Sequence, residues 1–221
     1  MINRKKLTSR FGLGVAATVA LGLLSTGAAT AEIFIPLPGG ETTKTLADGT
    51  EVRLALVDES VAITPTMGAV PGHRTARVAG KAQVELGGTL GGKAGSIFPG
   101  YTVGCEVDIA GGGVTGDLDW TGDVIDSDAG VVTGAKLVLE RGQAKSFYVL
   151  DLEQDEYFGS VAYPTRNQFE GNIGAVSWSD EVINLSGCDG YAQARAFVSL
   201  SVETDSVVTW MTLWGKPFIL G

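Results

Sequence analysis

Apolar and polar residues alternate with a period of two through much of the chain, and beyond residue 31 no segment sustains a helical period. Turn dipeptides such as Asp48-Gly49, Pro71-Gly72, Pro99-Gly100 and Asp189-Gly190 punctuate the alternating runs. The pattern predicts strands over 51–57, 74–86, 101–109, 131–139, 146–152, 175–178, 192–202 and 207–213. Their number and spacing are those of a β-sandwich, so the expected class is all-β.

Two glycine-rich intervals, 87–95 and 111–113, interrupt this plan, as glycine inside a strand pattern marks a bulge or bend. At the second, the apolar phase shifts from odd residues (Val103, Val107, Ile109) to even ones (Val114, Leu118, Trp120). We read this shift as the point where a strand leaves the globular body. The expected organisation is a sandwich domain from 32–110 and 140–221, with 111–139 projecting as a β-hairpin. A lone two-stranded hairpin is at best marginal in water, so it needs neighbours from other copies of the chain.

The candidate chemistry lies on that hairpin. Thr115, Asp117 and Asp119 share one strand face while Val114, Leu118 and Trp120 take the other, and Asp123, Asp126 and Asp128 follow. A wet acidic face backed by an apolar one fits the lining of a water-filled pore, where carboxylates repeated around a ring concentrate cations and repel anions. On this reading Asp117, Asp119 and Asp123 form the constriction, and Val114, Leu118 and Trp120 meet lipid or its interface. Two other readings compete. The aspartates could belong to a solvated turn. They also approach a calcium loop, with Asp117, Asp119 and Thr121 at positions 1, 3 and 5 and Gly122 at 6, but Asp128 stands where a bidentate Glu is required and the flanks are strand-like.

The first 31 residues have the form of a secretory leader. Arg4, Lys5, Lys6 and Arg10 precede an apolar run, and Ala29-Thr30-Ala31 ends it with a small-x-small cleavage site. That run is broken by glycines and falls short of the ~20 residues a spanning helix needs. An exported chain places its two cysteines, Cys105 and Cys188, in an oxidising compartment, where they are expected to pair; the alternative is two buried free thiols. The formal net charge of −9 becomes more negative once the basic leader is removed, which argues against a nucleic-acid partner. His73 is the only histidine, so zinc sites and histidine-dependent triads lack parts. The run from Asp151 to Glu156 reads as a solvated face. No catalytic residue, metal ligand set or cofactor fingerprint is expected.

The block from Gly187 to Leu220, G-C-D-G-Y-A-Q-A-R-A-F-V-S-L-S-V ending in W-G-K-P-F-I-L, resembles the porins of the MspA type from the outer membrane of mycobacteria and their relatives. G-Y-T-V-G-C-E-V-D-I from Gly100 to Ile109 and V-A-G-K-A from Val78 to Ala82 extend the resemblance over most of the exported part. It implies a ring-shaped homo-oligomer of roughly eight subunits. Each would give a β-rich rim domain and one hairpin to a shared barrel, with the acidic constriction on the turn after Ile109. The D-L-D spacing of Asp117 and Asp119 departs from the family's adjacent carboxylates, and the hairpin is shorter. The function expected is passive diffusion of small hydrophilic solutes and cations across an outer membrane. Its rivals are a secreted or envelope-associated β-sandwich that binds without conducting, and a calcium-dependent module.

Overall fold

The computed structural model describes residues 32–64, 72–88, 94–110, 135–150 and 166–220. Among them the strands are β1 (Ile33–Pro36), β2 (Gly40–Thr45), β3 (Glu51–Thr64), β4 (Arg74–Gly87), β5 (Ala94–Cys105), β6 (Ala135–Val138), β7 (Ala144–Tyr148), β8 (Asn167–Glu170), β9 (Ile173–Ser186), β10 (Ala192–Glu203), β11 (Val208–Trp214) and β12 (Phe218–Ile219). They form two sheets. In the first the order is β1-β3-β4-β9-β6, with β2 also on β3; in the second it is β11-β10-β5-β7, with β12 on β10 and β8 on β5. The all-β sandwich expected from the alternation is the observed fold.

Alternation builds the core directly. Ala192, Ala194, Ala196, Val198, Leu200 and Val202 of β10 are buried, and so are Ala76, Val78, Ala82, Val84 and Leu86 of β4. Small residues on β10 make room for large ones opposite. Tyr101, fully buried on β5, pairs in register with Ala196, and its hydroxyl accepts a 3.1 Å hydrogen bond from the Trp178 indole of β9.

Two strands change phase midway. On β3 the inward residues are Val52, Leu54 and Leu56, then Glu59 and Val61; on β9 they are Trp178, then Glu181, Ile183 and Leu185. In each case the switch is a bulge, between Val57 and Ser60 on β3 and between Trp178 and Glu181 on β9. Asp58 (φ 54°) and Asp180 (φ 58°) adopt the left-handed conformation there, which aspartate tolerates better than most residues. Each bulge turns the following glutamate inward, so that Glu59 and Glu181 are buried.

The outer faces differ in chemistry. On the first sheet Arg53 bridges Glu41 at 2.6 Å and Glu85 at 3.2 Å, all three exposed. On the second, the rings of Trp214, Phe197, Tyr148, Phe98 and Trp210 form a continuous row with successive centroids 5.5, 5.7, 5.9 and 5.3 Å apart. The row lies outside the sandwich because Phe197 and its register partner Trp214 occupy the β10–β11 positions opposite to the inward alanines.

Two sequence expectations are corrected. The strand expected over 101–109 ends at Cys105, and Glu106 to Ala110 form a turn. Of the return strand expected over 131–139, residues 131–134 lie outside the described residues, and Ala135–Val138 joins the first sheet as β6, parallel to β9, with Leu137 and Leu139 buried in the core. Burying these two leucines between the sheets removes their apolar surface from water and holds β6 to the sandwich.

Candidate channel segment and its anchorage

Asp117, Asp119, Asp123, Val114, Leu118 and Trp120 all lie outside the described residues, within 111–134. Both ends of that segment are described, and both are held by the same end of the sandwich.

The departing end is built from the tip of β5. Cys105 donates its amide to the Gln143 carbonyl at 2.9 Å and accepts from Gly142 at 2.8 Å, while Glu106 donates to Tyr191 at 2.9 Å. Glu106 takes a left-handed conformation (φ 48°), and its carboxylate pairs with Arg141 at 2.6 Å. The turn then folds back over Gly104. A Cβ at that position would stand 2.7 Å from Val107 and 2.8 Å from Ile109, so only glycine lets the turn lie so close, and Ile109 is 2% exposed as a result. The Asp108 carboxylate caps the amide of Ala110 at 2.8 Å.

Arg195, on the outer face of β10, fixes the last described residues. Its Nη1 donates to the carbonyls of Ile109 at 3.2 Å and Ala110 at 3.0 Å, and its Nε donates to the Gly215 carbonyl at 2.8 Å. The guanidinium also lies 5.1 Å from the centroid of the Trp214 ring. A rigid planar cation with several donors suits such a task, since it can bind separated backbone segments at once.

The returning end is tied by the parallel β6–β9 ladder and by a 3.0 Å bond from the Leu139 amide to the Ser186 carbonyl. Immediately beyond β9, Cys188 forms a disulfide with Cys105 across 83 residues of sequence, as expected, with Cα atoms 5.7 Å apart. This bond joins the two sheets at the departing end, beside the tip of β5, while the returning chain enters β6 opposite Ile183 and runs toward the same corner. Arg74 of β4 donates to the carbonyls of Cys188 and Gly190, securing the same corner.

Other sequence candidates fall elsewhere. His73 is exposed, and no cluster of three His, Cys, Asp or Glu side chains among the described residues is arranged to hold a metal. The acidic run 151–156 lies outside the described residues. Sequence reasoning missed Glu59, Glu181 and Arg195. The first two carried a readable signal: Asp-Glu at 58–59 and at 180–181, each at a point where the inward apolar phase moves from even to odd residues.

The family model described as MspA matches residues 48–219. No curated protein matches the chain.

Proposed function

The chain belongs to the MspA family of outer-membrane porins, and from that premise we propose that it is a passive channel for small hydrophilic solutes and cations. Members of the family form oligomeric channels and are not enzymes. In this reading several copies, roughly eight as the resemblance implies, each contribute 111–134 to one β-barrel in the outer membrane. The segment is long enough for two tilted strands of about 9–11 residues and a turn. Closing strands from separate copies into a cylinder satisfies every backbone edge, which lipid requires. Val114, Leu118 and Trp120 face lipid or its boundary, and Asp117, Asp119 and Asp123 face the bore.

The observation that carries this reading is the family match, which runs through the segment and the sandwich on either side of it. Arg195, the disulfide and the β6 ladder support it, because a barrel strand that enters lipid needs a fixed root. Protonation removes the charge of carboxylates that line a bore, so cation preference should weaken at acid pH. Planar-bilayer recording tests the assignment. The wild type should be cation-selective, and the Asp117→Asn, Asp119→Asn double variant should lose most of that preference; an unchanged reversal potential would reject these aspartates as the constriction.

A further inference from the structure

Glu59 is 2% exposed, and neither of its carboxylate oxygens has a hydrogen-bond partner among the described residues. The bulge at Asp58 aims it between the sheets, and its backbone is held there by a 2.8 Å bond from the Leu37 amide to the Glu59 carbonyl. A Cβ at Gly215 would stand 2.9 Å from Oε2 of Glu59 and 3.3 Å from both Ala196 and Leu56, so the bare glycine backbone closes over the carboxylate. Among the described residues, no cation is found to offset its burial. From β5 comes Tyr101, whose hydroxyl is raised chiefly by burial, then by the charges of Glu59 and of Glu181 from β9. β10 contributes Ala196 and β3 contributes Leu56, while Lys216, next to Gly215, is exposed.

An ionised carboxylate buried without a partner is strongly disfavoured, whereas its neutral form is tolerated. Burial accordingly pushes Glu59 up to about 7. The group is also linked, through Gly215 and then Arg195, to the root of the segment that the proposed function places in the barrel. Gly215 donates to the Ala196 carbonyl at 2.9 Å, and its own carbonyl is held by Arg195, which binds the carbonyls of Ile109 and Ala110.

We propose that Glu59 is a proton-operated latch on this root. When neutral, it lets Gly215 close over it and keeps Arg195 seated on Ile109 and Ala110. When ionised, it draws water in beside Gly215 and loosens that hold. Because the proton is bound more tightly in the closed state than in an opened one, closure is favoured below the ordinary glutamate range. It is lost as pH rises through about 7.

Hydrogen exchange of the full-length assembled protein, corrected for the intrinsic pH dependence of amide exchange, tests the latch. In the wild type, opening at Gly215 and over 106–110 should rise about tenfold or more between pH 5 and pH 8. Glu59→Gln keeps the shape without the ionisable proton and should show no such rise. Equal responses in the two proteins, or a flat wild type, would overturn the proposal. Should the variant fail to assemble, wild-type protein labelled at its glutamate carboxyl carbons gives a second reading by NMR. One glutamate titrating near neutrality supports the latch, and all of them titrating in the ordinary range overturns it.

Discussion

At the residue scale, Tyr101 is a fully buried polar side chain that serves another buried one. Its hydroxyl gives the buried Trp178 indole its acceptor, so Tyr101→Phe removes a partner without removing the donor. An unsatisfied buried donor costs roughly 1–3 kcal/mol. Denaturant unfolding of the variant should show a loss of that size, with no change in the slope against denaturant. Asp48 works at the surface by the opposite logic from Glu59. A hydrogen bond from the Thr204 hydroxyl at 2.6 Å, and then the Thr50 amide, hold its carboxyl below the usual range. Its contribution is therefore present above that range and fades as pH falls through it.

At the scale of elements, the disulfide carries the clearest prediction. It closes 83 residues of chain and ties the end of β5 to the residue just past β9. In the chain-entropy view a loop of that length contributes up to about 4.5 kcal/mol, and native bonds of this kind are worth about 2–5. Reduction, or the Cys105→Ala, Cys188→Ala pair, should lower the melting temperature accordingly, and the loss should be accompanied by faster exchange over 106–110. The two cysteines could be paired from sequence because the expected leader implies an oxidising compartment. The long strands were legible for an equally physical reason: β10 and β4 keep one phase from end to end, and burial follows phase. β3 and β9 were read short because a bulge resets the phase, and a reader following strict alternation stops there. β6 was misplaced since Leu137 and Leu139 alternate just as well on a hairpin as in a core, and only the parallel pairing with β9 distinguishes the two. Arg195 gave no signal, as its partners are backbone carbonyls from residues 109, 110 and 215, which no side-chain pattern encodes.

At the scale of the whole molecule, the sandwich gives each copy a rigid body, and the proposed barrel would make the copies interdependent. Purified mature protein in mild detergent should therefore run as a ring of many copies by multi-angle light scattering. A well-behaved monomer would leave the sandwich intact as a fold and remove the channel. The construction of the sheets has one more consequence. Three of the five long strands, β3, β5 and β10, each have a neighbour assembled from two short pieces, β1 with β2, β7 with β8, and β11 with β12. A border laid in two lengths has a seam, and extra chain can be spliced into a seam while both flanking pieces keep their places. A sandwich built this way can thus take up or lose surface loops midway along its walls, as well as at its tips, while the long strands beneath keep their register.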